Sequence, residues 1–281
     1  MNVGVLGLGR MGSGMAYTLL MKGFNVTGYD VNKIAYGRFN GLKNFRPAES
    51  MEDIYNNDAV IFSLPTGLEV KEALSKYKDQ CMIVDTTTLD IKELHENLAI
   101  VNNSKNYITC RLERGPKEAN EGDLAMFVGG DIESYNKLKT LFDALGTHVF
   151  IGTHEQATMM KLISNMIGTA IVDLLGQVSV VIEKTNIDKD IAIKALSLGG
   201  ANTVELFRLP WQISSKYEAS FSLELAQHVI QMALNSSKEF GIDELPIVQL
   251  NNTMMKIGLK MNLGSKDVSE IAELYKKLNT K

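Results

Sequence analysis

Cysteine is scarce in this chain. Cys81 and Cys110 are the only two among 281 residues. Both sit in apolar, strand-like surroundings without metal-ligand spacing, which excludes a disulfide framework and reads as buried thiols in a reducing compartment. Histidine is nearly as rare: His95, His148 and His154 stand without partners at ligand or triad spacing, so metal chemistry finds no support. There is no basic excess either. The net charge is -4, which removes the electrostatic footprint that nucleic acid requires. No basic region, apolar stretch and cleavage site precede the first strand. The most apolar segment, 166–182, is interrupted by Asp173 and Gln177 and reads as a buried helix rather than a membrane span. The expectation is a cytoplasmic protein with no nucleic-acid or membrane partner. Internal repeats, low-complexity tracts, a G-x-S-x-G elbow and a Walker lysine are all missing.

What is present begins at once. At 45% hydrophobic and 22% charged, the composition is that of a soluble globular protein, long enough for two domains. Asn2-Val3-Gly4-Val5-Leu6 is a short apolar run of the kind a central parallel strand needs. It leads directly into Gly7-Leu8-Gly9-Arg10-Met11-Gly12, a G-x-G-x-x-G. The first glycine permits the tight turn, the second lets a pyrophosphate approach the backbone, and the third lets helix and strand pack closely. A helix over 12–22 would aim free N–H groups and the positive end of its dipole at the phosphates. The motif alone is common, but the context adds to it. A second strand, 25–29, ends in Asp30, 18 residues past Gly12, where an acidic side chain meets the adenosine ribose hydroxyls. A carboxylate there accepts from a 2′-hydroxyl and repels a 2′-phosphate. NAD is therefore expected over NADP, although Lys33 and Arg38 lie close by and leave NADP open.

Strand-like runs at 2–6, 25–29, 59–64, 82–85, 107–110, 125–128 and 148–151 alternate with helical stretches, among them 67–76 and 132–145. That rhythm predicts an α/β fold: an N-terminal Rossmann domain, doubly wound on a mostly parallel sheet. After Gly152 the strands stop. Residues 154–184 form one helical pattern, with Met159, Leu162, Ile163, Met166, Ile167, Ala170, Ile171 and Leu174 at helical spacing. Further helices are expected at 188–198, 222–240, 245–261 and 266–278, stopped by Gly241 and Gly264. The expected division is a nucleotide-binding domain over 1–152 and an all-helical C-terminal domain over 153–281, with a ligand in the cleft between them.

Lys161 lies near the start of the long helix, and Asn165, four residues on, shares its face with Gly168. A lysine at a domain junction loses solvation once cofactor and substrate arrive, which lowers its pKa and suits it to move a proton to or from a carbonyl oxygen. Spacing alone equally allows a solvated helix lysine.

The motifs extend further. Gly7-Leu8-Gly9-Arg10-Met11-Gly12-Ser13-Gly14-Met15-Ala16 resembles the N-terminal signature of the β-hydroxyacid dehydrogenase family, and matches run along nearly the whole chain. Leu64-Pro65 closes the third strand as in that family. Asp85-Thr86-Thr87-Thr88 occupies its D-x-S-T element, whose hydroxyls lie near the nicotinamide. The spacing from Gly115-Pro116-Lys117 to Gly129-Gly130 is kept. The run from Gly152 to Lys161-x-x-x-Asn165 resembles the catalytic element, and Gly264-Ser265-Lys266-Asp267-Val268-Ser269 the C-terminal signature. The resemblance implies that Lys161 transfers the proton, with Asn165 holding it and the substrate. It implies cofactor contacts from Gly7, Leu8, Gly9, Arg10, Met11, Gly12, Asp30, Leu64, Pro65 and Thr88, a small hydroxy acid or semialdehyde as substrate, and a homodimer or homotetramer.

Two segments depart from the pattern. The family's Ser-Gly-Gly, which grips the substrate carboxylate, is here Glu113-Arg114-Gly115. A carboxylate at 113 would repel that anion. Arg111 or Arg114 would restore anion binding by a bidentate contact, Glu113 would favour an amine or polyol, or Glu113 and Arg114 pair with each other on a solvated loop. The family's Lys-Asp is here His228-Val229. His228 is either a substitute donor or a histidine satisfied on a helix surface. Trp211 either lines the pocket or packs. Two further functions stay open: an imine reductase on the same fold, against which Lys161 counts, and a nucleotide-binding protein without catalysis.

Overall fold

The computed structural model describes residues 1–280. Two compact units, Met1–Lys161 and Leu162–Lys281, divide the chain. The boundary falls inside the long helix, later than the expected break after residue 152.

The first unit is built on eight strands: β1 (Asn2–Leu6), β2 (Asn25–Tyr29), β3 (Phe45–Pro47), β4 (Ala59–Phe62), β5 (Met82–Asp85), β6 (Tyr107–Glu113), β7 (Leu124–Gly129) and β8 (Gly146–Gly152). They form one sheet in the order β3-β2-β1-β4-β5-β6-β7-β8. Every pairing is parallel except β6 with β7. The helices of this unit are α1 (Arg10–Met21), α2 (Gly67–Ser75), α3 (Ile91–Leu98), α4 (Pro116–Glu121), α5 (Ile132–Lys137) and α6 (Lys139–Leu145). Alternate strand residues serve opposite faces. Ala59 and Ile61 join Val3, Val5, Met15, Leu19 and Phe142 on one side; Val60 and Phe62 join Leu6, Val70, Leu74, Ile83 and Leu94 on the other. Strands covered on both faces have no polar side, so they read as unbroken apolar runs.

The fold class matches the expectation, with differences of detail. Edge strand β3 has no signal, since Phe45-Arg46-Pro47 is too short to show a period. The helix expected over 132–145 is two pieces, α5 and α6, divided at Leu138. Strand β6 runs three residues beyond 110 and so carries Glu113 to its carboxyl end.

Helix α7 (His154–Lys184) leads from the first unit into the second, which also holds α8 (Lys189–Leu196), α9 (Leu209–Ser214), α10 (Leu223–Glu239), α11 (Pro246–Lys260) and α12 (Ala272–Leu278). Val172, Val180, Leu223, Ala226, Met255, Ile271 and Tyr275 form its main core. By length and composition alone α7 could cross a membrane. The expectation that 166–182 is a buried helix needs correction. Ile163, Ile167, Leu174 and Val181 are exposed along one stripe, while Val172, Leu175, Val180 and Ile182 are buried. A helix apolar all round gives no sequence clue to which side faces solvent. Gly264 is corrected too: α11 ends through Asn262 in the left-handed region, whereas Gly241 takes that role after α10.

Candidate active site

The glycine turn has the form that a dinucleotide needs. Gly7 adopts φ +92°, and a Cβ there would lie 2.2 Å from the Ser63 carbonyl oxygen; a Cβ on Gly12 would lie 1.9 Å from the Gly7 carbonyl oxygen. Both must be glycine for the turn to close. Gly9 differs, because a Cβ there would meet no protein atom within 4 Å. The chain keeps open space at that position. Gly9 is also the N-cap of α1 and offers no side chain, so the first-turn N–H groups of Arg10, Met11 and Gly12 are left for an anionic ligand.

Asp30 stands at the end of β2 and buttresses the turn. Its Oδ2 accepts from the Leu8 N–H at 2.6 Å and its Oδ1 from the Asn32 N–H at 2.7 Å. A carboxylate has about four lone-pair directions, so capacity for ribose hydroxyls remains. The two nearby cations stay close to the turn: Lys33 Nζ donates to the Asp30 carbonyl at 3.5 Å, and Arg38 to Ser13 Oγ on α1 at 3.5 Å. Lys33 lies over the Tyr29 and Tyr36 rings; Arg38 stacks on Tyr17 and donates to Asn120 at 2.5 Å. Leu64 and Pro65 follow β4, and Thr88 follows β5, all at least partly accessible. Thr86 is not a free hydroxyl, since its Oγ1 donates to the Phe62 carbonyl at 2.6 Å.

Parallel pairing of β1, β2, β4, β5 and β6 brings Gly7, Asp30, Leu64, Thr88 and Glu113 to the carboxyl ends of their strands. The strand order reverses between β1 and β4, the place where open α/β sheets bind ligands.

At the end of β6 one of the readings fails. Glu113 does not pair with Arg114. Its Oε1 lies 3.2 Å from Lys161 Nζ, and the two side chains are 24% and 14% exposed. Burial pushes the Lys161 amine below its ordinary value, and the Glu113 carboxylate opposes that shift. Lys161 is therefore not a solvated helix lysine. Asn165 follows one turn on along α7, partly buried.

Arg114 pairs with Asp123 Oδ2 at 2.5 Å and holds φ +70°, a glycine conformation occupied by an arginine. Gly115 caps α4 and donates its N–H to Glu118 Oε2 at 3.0 Å. Arg111 is no anion receptor. It is 1% exposed, bound to Asp85 Oδ2 at 2.9 Å, to Thr158 Oγ1 at 3.2 Å and to the Thr87 carbonyl. Tyr107 OH also donates to Asp85, at 2.8 Å. This buried pair ties the loop after β5 to the first turns of α7, and residue spacing gave no sign of it.

The histidines, which lack ligand or triad spacing in the sequence, are each taken up by a single protein neighbourhood. His95 Nε2 lies 3.1 Å from Glu155, His154 Nδ1 lies 3.0 Å from Thr109 Oγ1, and His148 lies 2.9 Å from both Tyr135 OH and Asp143. Burial lowers the His154 pKa and favours the neutral ring. No group of three or more metal-ligating side chains gathers among the described residues. In the helical unit His228 is exposed on α10 beside buried Val229. Trp211 packs edge-on against Phe207, with the Arg208 guanidinium over both rings.

A glycine turn with open space at Gly9 and an acidic residue after the second strand define a dinucleotide-binding domain. Comparisons agree. A family model for the NAD binding domain of 6-phosphogluconate dehydrogenase matches residues 2–153, and one for the NAD-binding of NADP-dependent 3-hydroxyisobutyrate dehydrogenase matches 156–275. The chain is 25% identical to glyoxylate/succinic semialdehyde reductase 1 of Arabidopsis thaliana, covering 98% of this chain and 99% of that protein. It is 24% identical to 3-sulfolactaldehyde reductase of Escherichia coli K12, covering 96% and 94%. A solved structure of Mycobacterium tuberculosis 3-hydroxyisobutyrate dehydrogenase with L-serine shares the fold, with TM-score 0.84 at 18% identity and 99% coverage of each chain. The chain belongs to the β-hydroxyacid dehydrogenase family and is an NAD(P)-dependent oxidoreductase acting on the CH–OH group of a small molecule.

Proposed function

We propose that this enzyme interconverts a small β-hydroxy acid and the matching semialdehyde, with NAD preferred over NADP and Lys161 handling the proton. The observation that carries the reading is a lysine amine, mostly buried, at the carboxyl end of the same sheet that bears the dinucleotide turn. The nicotinamide, when bound, supplies or receives the hydride. In reduction the Lys161 ammonium gives a proton to the carbonyl oxygen as the carbon gains the hydride; in oxidation the neutral amine takes it from the hydroxyl. Burial favours the amine's neutral form and so eases the loss of its proton, while the Glu113 carboxylate opposes that shift. The free carboxylate capacity of Asp30 supports NAD.

The test is Lys161→Ala, assayed with both coenzymes against glyoxylate, succinic semialdehyde and 3-hydroxyisobutyrate. Turnover should fall by about 10²–10⁴-fold, the usual worth of a positioned acid–base group, while NADH affinity stays at the wild-type value. Undiminished turnover would end the assignment.

A further inference from the structure

Glu113 stands in the segment that departs from the pattern read in the sequence, and it pairs with Lys161. Strand β6 ends at Glu113, and α7 brings Lys161 to it one turn beyond Thr158, where Arg111 clamps the helix to the same strand. The ammonium is thus met by a carboxylate at 3.2 Å in a partly desolvated place, where a charge interaction is much stronger than in water. Building on the proton-transfer reading of Lys161, we propose that Glu113 is the positioning residue of that lysine: it fixes Nζ at the end of β6 and stabilises its charged form, so that the acid needed for reduction persists in a site that otherwise disfavours it.

Neighbouring charges do not take its place. On β6 and its following loop Arg111 is closed on Asp85 and Arg114 on Asp123; on α7 Glu155 faces His95 and neutral His154 faces Thr109; on α4 Glu118 caps Gly115. Burial works in the opposite direction to Glu113 on the Lys161 amine, so removing the carboxylate leaves burial unopposed. No atom or electron balance changes: the proton that leaves Nζ is the one that Glu113 helped to hold there.

The experiment compares wild type, Glu113→Gln and Glu113→Asp by two readouts. One is the pH dependence of Lys161 acetylation by acetic anhydride, followed by peptide mass mapping, which needs no substrate. The other is the pH profile of turnover with succinic semialdehyde. In Glu113→Gln the labelling midpoint and the alkaline fall of the reduction rate should both move to lower pH by about one unit or more, the size expected for losing an adjacent opposite charge. Glu113→Asp, which keeps the charge, should lie between the two. A purely structural role would scale rates or lower Tm without moving either midpoint, and unmoved midpoints overturn the proposal. If Lys161→Ala abolishes turnover while the Glu113→Gln midpoints stay put, the positioning role alone fails. If Lys161→Ala leaves turnover intact, the lysine reading fails and takes this one with it.

Discussion

Arg111 shows how one residue's neighbourhood overrides its apparent purpose. A guanidinium two residues before the substrate segment reads as an anion clamp, yet it is buried against Asp85 with Tyr107 and Thr158 around it. Such a pair contributes little net stability, because desolvating two charges offsets most of their attraction, but removing one partner strands the other. Arg111→Met should therefore cost about 3–5 kcal/mol in urea unfolding, and Asp85→Asn in the same chain should recover part of it by neutralising the stranded carboxylate. Equal stability of Arg111→Met and wild type would show that the pair is not buried as described. The sequence held both residues in view but not their meeting, since β5 and β6 had first to be placed side by side.

At the scale of an element, the turn from β1 into α1 was legible because its chemistry is local. Three glycines at fixed spacing after an apolar strand specify a backbone path, and the structure separates their roles. Gly12→Ala should destabilise the fold, lowering Tm by several degrees, because its Cβ would meet the Gly7 carbonyl at 1.9 Å. Gly9→Ala meets no protein atom, so Tm should hold while NADH affinity falls by about tenfold or more, a loss of about 1.4 kcal/mol. Identical affinity in Gly9→Ala would place the cofactor away from this turn. Helix α7 was legible in length and position but not in orientation: its apolar residues occur on every side, so the period could not tell core from surface. The short β3 and the extension of β6 to Glu113 left no local pattern.

Over the whole molecule, each unit carries its own core, and the helical one encloses a carboxylate that has no ion-pair partner among the described residues. Asp173 accepts from Tyr275 OH and from Asn251 Nδ2 at 3.2 Å, and burial raises its pKa. The sign follows from linkage. A carboxyl whose folded pKa lies above its unfolded value binds its proton more tightly when folded, so its effect lowers stability as pH rises from the ordinary aspartate range through the raised value. Asp173→Asn should therefore gain stability over wild type at pH 7 and gain less at pH 4, read by urea melts at both; a gain independent of pH would contradict this. By itself the sequence determined the alternating βα order, the dinucleotide turn, Asp30 at the end of the second strand, and Lys161 and Asn165 on one helical face. Turn geometry, strand alternation and helical offset span a few residues, and a few residues suffice to specify them. Only the tertiary structure decided that Glu113 faces Lys161, that Arg111 is spent on Asp85, and which side of α7 meets water. Those outcomes depend on strand order, register and packing, which bring together residues that no local spacing relates.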